Sequence, residues 1–542
     1  MGTFQRPNRF FLLVIVCLSA VLASCSSGGG GKGGPAPMTG DTRPEPFTLS
    51  APANIDPEKV AFDTAVVSDV VTVTGIDAAA PVSIDNGEYT IDNGEFSDQP
   101  GSIRNGQTIR VRVQSPVKAE QSATATLNIG GETATFTVTT DVDNVAPEVT
   151  ILFPPPASMT EGQTLFVRGT VKDLNGTLAE SAVTVNGMEA ELALNEAMDE
   201  GTWSVTVDLA PGPNSVAVVA EDSAENLNDD ASVNTRRVAS IEDQSFPDNS
   251  NPFLGPLNAV VGMLGGQQVA FVTDDTALAV FAVDLTSGQR VIISDNSAEN
   301  GEAFEYPWGV AYGVDGFLYV SDSSIPALFK VDPESGVRST IATADTSNLV
   351  NTPRGIFLDE QNNTSRLYVA DGDKIYSFAV DGGEPELLSS ATQSVPDNLN
   401  PIGTAFGLVM LTTQDRLIAI DSGSEKKVIN VEPQGGSRSV LVNSGFLAIN
   451  AIANHPNGEE VLVVDDISNE VSAINVNSGD RRVLSSAAVP NSFNSVSDPW
   501  GVATSANLNY ALMVDPILRA IIAIDLDTGQ RVVLSKSTAP ID

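Results

Sequence analysis

A fifteen-residue segment occurs twice in this chain, and its repetition constrains the fold more than any other feature. Residues 280–294 read VFAVDLTSGQRVIIS, and residues 521–535 read IIAIDLDTGQRVVLS. Each copy is an alternating apolar run, a turn with glycine and a second apolar run, which is the pattern of a β-hairpin. Self-similarity at a long period indicates a repeat architecture. We therefore predict that the C-terminal half is built from repeated β-units.

Weaker copies of the hairpin fill the interval between these two. The turn glycines, 40 to 56 residues apart, are Gly288, Gly336, Gly383, Gly423, Gly479 and Gly529. A Pro-x-Gly motif precedes several copies, at residues 307–309, 353–355, 401–403 and 499–501. A further strand between motif and hairpin brings each repeat to four antiparallel strands. Six such repeats predict a six-bladed β-propeller, since one blade cannot bury both of its faces; an open solenoid is the alternative.

The second strands of four repeats end in an aspartate, namely Asp322, Asp371, Asp465 and Asp515. These carboxylates recur in step with the fold. We therefore expect them to accept hydrogen bonds from turn N–H groups rather than to form a catalytic ring of acids. The one histidine, His455, lies in an Asn-His-Pro-Asn-Gly turn, and we expect it to face solvent.

On these repeats, residues 251–542 resemble a six-bladed propeller of the NHL-repeat and gluconolactonase-like group. The resemblance implies that a calcium-dependent lactonase-like hydrolase is one function to weigh. In that group, acidic and amide side chains lining the central channel hold the metal. The residues that follow the prolines of the motif here are Trp308, Arg354, Ile402 and Trp500, and only Asn258 and Asn450 supply amides near the starts of inner strands. Because calcium requires oxygen donors, the hydrolase is the alternative and binding is the main prediction.

Trp308 and Trp500 are expected near one end of the central channel, with Tyr306 and Arg354 beside them. Aromatic faces with a guanidinium bind a sugar, a peptide or a small acid well. With Asn258 and Asn450, these residues are the candidate binding site, and no catalytic residue is assigned. The alternative is that the tryptophans only wedge between blades.

The N-terminus is typical of a bacterial lipoprotein. Arg6 and Arg9 precede an apolar run at 10–21, which is too short to cross a membrane, and Leu-Ala-Ser-Cys then ends at Cys25. This resembles a lipobox, which implies a signal peptide at 1–24, lipidation of Cys25 and release to the outer membrane. An ordinary secretory signal is the alternative. Residues 25–45, rich in Gly, Ser and Pro, are predicted to be a flexible tether.

Two β-sandwiches are predicted between tether and propeller, at 46–140 and 147–238. Short alternating strands fill both segments without a helical period, and the Asn-Gly pairs at 86–87 and 93–94 predict hairpin turns. They resemble the Ig-like domains that space out bacterial surface proteins. The predicted fold class is therefore all-β, with two tandem Ig-like sandwiches followed by a six-bladed propeller. A polar, proline-bearing linker is expected at 239–256.

Acidic residues at the junction of the two sandwiches are candidate calcium ligands. Asp141, Asp143 and Asn144 resemble the calcium-bridged linkers of tandem sandwiches, but three side chains are too few oxygens for calcium. The acidic segment 221–230 offers more oxygens, although a turn at the end of a strand explains it equally well. Calcium is the one cofactor that these residues suggest.

Composition limits the partners. The chain has 69 acidic and 28 basic residues, for a net charge of −41, so nucleic acid and anionic lipid surfaces should repel it. Its two cysteines are Cys17, in the signal, and Cys25, so the mature chain has no disulfide or cysteine nucleophile. We predict a cell-envelope protein that is anchored by lipid at the outer membrane, with the face of that membrane left open. Its propeller is predicted to bind or scaffold a protein or glycan, and the protein meets the membrane only through its lipid.

Overall fold

A computed structural model of the chain describes residues 40–297, 300–345, 350–360, 365–380, 384–390, 399–411 and 414–538. The signal sequence and Cys25 lie outside these ranges. The described part is all-β, as predicted, and contains no α-helix. No helix in it is long and apolar enough to span a membrane. The chain divides into two compact units, Met1–Pro116 with Gln121–Thr140, and Val117–Glu120 with Asp141–Asp542.

The first unit is a sandwich of two four-stranded sheets. Its strands are β1 (Ala65–Val67), β2 (Val71–Thr72), β3 (Ala80–Asp85), β4 (Glu88–Ile91), β5 (Gly101–Ile103), β6 (Thr108–Gln114), β7 (Ser122–Ile129) and β8 (Glu132–Thr139). One sheet pairs β6 with β1, β2 and β4, and the other has the order β5-β3-β7-β8. Alternate residues of β3, β6, β7 and β8 point into one buried cluster between the sheets.

Two sequence predictions for this unit need correction. The Asn86-Gly87 turn does not join a hairpin, because β3 and β4 belong to different sheets. Only tertiary packing decides whether a tight turn returns to the same sheet or crosses to the other. The predicted tether also ends earlier than 45, since Asp41 and Glu45 form backbone hydrogen bonds to this sandwich and Arg43 pairs with Glu132.

The second unit begins with another sandwich. Its strands are β9 (Glu148–Phe153), β10 (Ala157–Thr160), β11 (Thr164–Lys172), β12 (Leu178–Val185), β13 (Met188–Glu189), β14 (Glu191–Leu194), β15 (Glu200–Asp208), β16 (Gly212–Asp222), β17 (Leu227–Asn228) and β18 (Ser232–Arg237). One sheet has the order β14-β15-β11-β9, and the other begins β13-β12-β16-β18-β10. Trp203, which is 2% exposed, packs in the core between them.

Six four-stranded antiparallel sheets follow, each built from four consecutive strands. Sheet 1 is β19 (Pro256–Leu264), β20 (Gln267–Asp274), β21 (Ala279–Asp284) and β22 (Arg290–Ser294); sheet 2 is β23 (Pro307–Tyr312), β24 (Leu318–Asp322), β25 (Ala327–Val331) and β26 (Arg338–Thr343); sheet 3 is β27 (Pro353–Asp359), β28 (Arg366–Asp371), β29 (Lys374–Ala379) and β30 (Glu386–Ser390). Sheet 4 is β31 (Ala405–Leu411), β32 (Arg416–Asp421), β33 (Lys427–Val431) and β34 (Arg438–Val442); sheet 5 is β35 (Ile449–Asn454), β36 (Glu460–Asp465), β37 (Glu470–Asn475) and β38 (Arg481–Ser486); sheet 6 is β39 (Gly501–Ala503), β40 (Tyr510–Asp515), β41 (Ala520–Asp525) and β42 (Arg531–Lys536).

The first strand of each sheet contacts the first strand of the next, and β39 contacts β19. The six sheets are therefore the blades of a closed propeller, with β19, β23, β27, β31, β35 and β39 around the central channel. In the fourth repeat the predicted turn glycine was wrong. Gly423 lies between the second and third strands, and Gly436 occupies the turn before the fourth strand, with φ of 69° and its N–H donating to Glu432.

A hydrogen-bonded pair, the rim latch, recurs at the outer edge of the propeller. An arginine at the start of a fourth strand donates through Nη1 to a serine Oγ on the fourth strand of the preceding blade, at 2.6–2.8 Å. That serine Oγ donates to the carbonyl of the turn glycine two residues before the arginine. The four latches are Arg290–Ser535, Arg338–Ser294, Arg438–Ser389 and Arg531–Ser485. Arg290–Ser535 joins the first and last blades, so the duplicated segment closes the ring.

The predicted linker at 239–256 is instead packed against the last blade. Ile241 and Phe246 are buried, and Phe246 exchanges two backbone hydrogen bonds with Lys536. Strand β10 also pairs with β42, which joins the sandwich sheet to the sixth blade. The apolar side chains in this polar segment account for the difference, since they bury against the edge of the blade. The second sandwich is thus part of one compact body with the propeller.

Candidate binding site

One end of the channel is covered by six side chains, one from each blade, which we call the closing ring. In blades 1 to 5, each lies next to the inner-strand residue that pairs with the aspartate at the end of the second strand. In blade 6, the Pro-Trp-Gly motif that matches residues 307–309 places Trp500 at the same position. The ring consists of Leu257, Trp308, Arg354, Phe406, Asn450 and Trp500. In the fourth blade Ala405 pairs with Asp421, so Phe406 and not Ile402 occupies the ring. The residues Phe406-Gly407 resemble Trp308-Gly309, and that similarity was the signal available in the sequence.

The aromatic members of the closing ring contact one another across the channel. The Trp308 ring centroid lies 5.5 Å from that of Trp500 and 5.8 Å from that of Phe406. The Arg354 guanidinium lies 5.1 Å from the centroid of Trp308 and 4.2 Å from that of Phe406. Tyr306 packs beside Trp308 at 5.5 Å. The structure therefore brings together Trp308, Trp500, Tyr306 and Arg354, and their role in binding stays a prediction.

The glycine of the Pro-x-Gly motif is explained by the close approach of neighbouring inner strands. A Cβ atom on Gly309 would lie 2.2 Å from the carbonyl oxygen of Arg354. A Cβ on Gly355 would lie 2.5 Å from the carbonyl oxygen of Phe406, so neither position admits a side chain without moving backbone. Because these glycines let neighbouring inner strands approach closely, the aromatic side chains of the closing ring come into contact.

A cavity of about 540 Å³ occupies the channel behind the closing ring. It extends from the motif glycines to the far ends of the inner strands, at Tyr312, Leu358 and His455. This volume lies in the range of small-molecule sites. Asn258 and Asn450 line it, whereas Trp308, Trp500, Tyr306 and Arg354 are not among its lining residues.

The cavity has two unlike walls. Blades 2 to 4 contribute glycines and apolar residues, with Tyr312 as the only polar side chain among the described lining residues of those blades. Blades 5, 6 and 1 are adjacent in the ring and contribute the amides, hydroxyls and imidazole, which are Asn258, Asn450, Asn454, His455, Thr504 and Ser505. The cavity therefore has an apolar surface on one side, and on the other side hydrogen-bonding groups interspersed with apolar residues such as Ile452 and Val502.

The described lining contains no carboxylate and no side-chain cation. Three amides and an imidazole do not match the oxygen-rich, anionic donor set that calcium prefers. The residues present therefore do not fit the channel metal that the lactonase resemblance implied.

His455 is buried rather than solvent-facing, because its turn folds over the end of the channel. It is 9% exposed and lines the cavity. Its Nδ1 accepts a hydrogen bond from the Asn457 N–H at 3.2 Å, and Nε2 lies 3.9 Å from Glu460 Oε2. Burial lowers the pKa of His455, only partly offset by Glu460. The imidazole is therefore neutral at pH 7, and Nδ1 as acceptor leaves the proton on Nε2.

Two carboxylates contact aromatic residues at the closing ring. Asp275 bonds the Tyr306 hydroxyl, and burial together with this contact raises the pKa of Tyr306 to about 12. Asp498 bonds Trp500, and burial raises the pKa of Asp498 above its usual range. Neither Asp275 nor Asp498 is among the lining residues of the cavity.

The strand-end aspartates cap turns in all six blades, which confirms the prediction for four of them and adds two. Their carboxylates accept backbone N–H groups from the segment that leads into the inner strand. The six are Asp274, Asp322, Asp371, Asp421, Asp465 and Asp515. Asp322, for example, accepts from Glu305 and Tyr306 at 2.8 and 2.9 Å.

Of the junction residues proposed as calcium ligands, only Asp143 lies in a carboxylate cluster. Its partners are Asp173 and Asp222 of the second sandwich, whereas Asn144 is exposed and Asp141 lies outside the cluster. Burial, and then the neighbouring charges of Asp173 and Asp222, raise the pKa of Asp143. Asp173 and its contact with Asp143 were not anticipated, because residues from different strands meet there only in the folded sandwich.

Comparison with known proteins gives partial matches. Residues 147–238 match the family described as "Glucodextranase, domain B". Bacillopeptidase F of Bacillus subtilis is 34% identical over 107 residues, which are 20% of this chain and 7% of that protein. The chain thus spans only a small part of this curated relative.

Similar solved structures share little sequence with the chain. An auxiliary nutrient binding protein from Bacteroides ovatus is 12% identical, with 72% of this chain and 98% of that one covered and a TM-score of 0.40. A gluconolactonase from Xanthomonas campestris is 15% identical, with 54% and 90% covered and a TM-score of 0.36. A nidogen/laminin complex is 18% identical, with 48% and 91% covered and a TM-score of 0.39.

Proposed function

We propose that the propeller is a binding module whose central cavity takes an uncharged glycan unit. The observation that carries this proposal is that the amides, hydroxyls and neutral imidazole of the cavity all lie on three adjacent blades, opposite a wall that is almost entirely apolar. A sugar ring presents apolar C–H faces and polar hydroxyl edges, and it suits such a pair of walls. A charged ligand fits less well, because no ionised side chain lines the described cavity to offset its desolvation.

Two substitutions at the channel end test this proposal. Ala506 is exposed and lines the cavity, whereas the neighbouring Asn507 is exposed and does not line it. Ala506→Trp should block the cavity without disturbing the core, and Asn507→Trp is the matched control. Calorimetric titration with a panel of neutral and acidic oligosaccharides should find a neutral ligand. Its affinity should fall at least ~tenfold, about 1.4 kcal/mol, in Ala506→Trp only.

Binding that is equal in Ala506→Trp and wild type would place the ligand elsewhere. Failure of every neutral glycan to bind would refute the proposal. The lactonase-like alternative is tested on the same protein, since calcium-dependent hydrolysis of a lactone panel would favour an enzyme.

We further propose that the protein is held at the outer membrane, exposed on the cell surface, by a lipid on Cys25. The lipobox-like sequence supports this. The first sandwich then acts as a spacer and the second as a support for the propeller. Cys25→Ser should move the protein from the detergent phase to the aqueous phase in phase partitioning. Wild-type protein in the aqueous phase would contradict the anchor, and protection from added protease in intact cells would contradict surface exposure.

A further inference from the structure

Three carboxylates from separate segments meet at one end of the second sandwich. Asp143 precedes β9, Asp173 follows β11 and Asp222 ends β16. Each offers one oxygen, and these oxygens all lie within 4.8 Å of one another. Three carboxylates at this separation repel one another strongly when they are ionised.

Backbone groups hold the carboxylates in place while leaving oxygens free. Asp173 Oδ1 accepts from the N–H groups of Asn175 and Gly176 at 3.0 and 2.8 Å. Its Oδ2 has no hydrogen-bond partner, although Asp173 is only 2% exposed. A buried carboxylate oxygen without a partner is costly, which indicates that something absent from the protein chain completes it.

Asp143 has the same arrangement. Its Oδ1 accepts from the Val145 N–H at 3.1 Å, and its Oδ2 is buried without a hydrogen-bond partner. A Cβ atom on Gly176 would lie 2.1 Å from Asp143 Oδ2 and 2.7 Å from Asp173 Oδ2. The two unpaired oxygens therefore converge on the same glycine, and any side chain there would displace them.

The third carboxylate is held by the turn that follows it. Asp222 Oδ1 accepts from the N–H groups of Ala224 and Asn226 at 2.8 and 2.9 Å. Its Oδ2 accepts from the Asn226 amide at 2.9 Å. Rotation of that amide would turn its oxygen toward the cluster, where the oxygen could serve as a further metal ligand.

We propose that Asp143, Asp173 and Asp222 bind a calcium ion. Calcium takes six to eight oxygens from carboxylates, carbonyls and water, and it accepts irregular geometry. The ion would fix the segment before β9 to the turns that follow β11 and β16. This site is separate from the channel cavity and does not depend on glycan binding.

Titration of the full chain with calcium, after removal of metals by a chelator, tests the proposal directly. Calorimetry should show binding with a dissociation constant on the order of 0.1–1 mM or tighter, as in extracellular modules. Melting of the second unit should shift upward as calcium saturates, because a ligand of the folded state alone stabilises it. Magnesium should bind more weakly. No heat and no melting shift up to about 10 mM calcium would overturn the proposal.

Substitutions locate the ion. Asp173→Asn should weaken calcium binding at least ~tenfold, or 1.4 kcal/mol. Asp229→Asn, which changes an exposed acid of the same sandwich, should bind as wild type. Asp143→Asn is the second variant, because Asp143 is only half-buried and its loss threatens folding less. Wild-type affinity in both Asp173→Asn and Asp143→Asn would overturn the assignment, as would an equal loss in Asp229→Asn.

Discussion

The rim of the propeller repeats one contact, whereas the channel repeats almost none. At four blade junctions an arginine at an equivalent position donates to a serine at an equivalent position. The serine hydroxyl in turn donates to the carbonyl of the turn glycine. The closing ring, by contrast, has five residue types at six equivalent positions. A repeated contact solves a problem that each blade shares, which is attachment to its neighbour. Positions that differ from blade to blade suit a ligand that lacks sixfold symmetry.

The two junctions without a latch support this interpretation of the rim. Between blades 2 and 3, Ala342 and Pro385 stand where the serine and arginine would be. Between blades 4 and 5, Val442 replaces the serine. Arg481 bonds Glu470 and Ser472 of its own blade and donates to the Gly445 carbonyl in the segment that joins the two blades. Without the serine, the arginine still contacts the segment between the blades but makes no hydrogen bond to the fourth strand of the preceding blade.

Arg290→Ala should have the largest effect on stability. Arg290 is 2% exposed and donates to Ser535 and to backbone carbonyls that include Phe246 and Asp248. Its loss leaves several buried acceptors unpaired at the ring closure, at a cost of about 3–5 kcal/mol. Arg481→Ala is the contrast, since Arg481 makes no hydrogen bond to the fourth strand of the preceding blade, and its loss should cost about 1–2 kcal/mol. Denaturant unfolding measures the free energy of unfolding of both variants. Equal losses would show that the bond from arginine to the preceding blade adds no stability beyond that of other arginine contacts.

The double substitution Trp308→Ala with Trp500→Ala should cause the next largest loss of stability. Removing two of the three aromatic side chains of the closing ring opens the floor of the cavity and should cost about 3 kcal/mol. Glycan affinity should fall before cooperative melting is lost. If melting loses its cooperativity with no separable binding defect, the tryptophans act as wedges between blades.

Ser535→Ala should have an intermediate effect. It removes the hydroxyl that accepts from Arg290 and donates to the Gly288 carbonyl, both at buried atoms. We expect a loss of about 2 kcal/mol in thermal or denaturant unfolding, with glycan binding unchanged. Ser339→Ala changes an exposed rim serine and should cost less than about 0.5 kcal/mol. Weakened glycan binding in Ser535→Ala would show that the rim contacts and ligand binding in the channel are not independent.

The hairpins of the blades were predictable from the sequence because their information is local. Alternating apolar residues and a turn glycine define each hairpin without reference to the rest of the chain. The blades could be counted for the same reason. The fourth blade shows the limit, since Pro401–Thr404 matches the motif by letters while strand pairing with Asp421 selects Phe406-Gly407 instead.

The channel and the carboxylate cluster were less predictable, because they depend on contacts between distant segments. A turn histidine is usually solvated, and only the closed ring of blades places His455 over the cavity. Asp143 was identified as an acid at a domain junction, but its neighbour Asp173 became relevant only once the sandwich brought β9 and β11 together. Sequence patterns predict elements, and packing decides which side chains meet.

The smallest effect expected is a pH dependence that belongs to the channel alone. Burial lowers the pKa of His455 below 6.5, so the unfolded chain binds its proton more tightly than the folded protein does. The stabilising contribution of the neutral imidazole is therefore complete above pH 6.5 and is lost as pH falls through the folded pKa. His455→Gln should remove this slope, whereas Ser535→Ala should keep it. Because the chain has a single histidine, its NMR titration reports the folded pKa without overlap, and a value at or above 6.5 would contradict a neutral cavity.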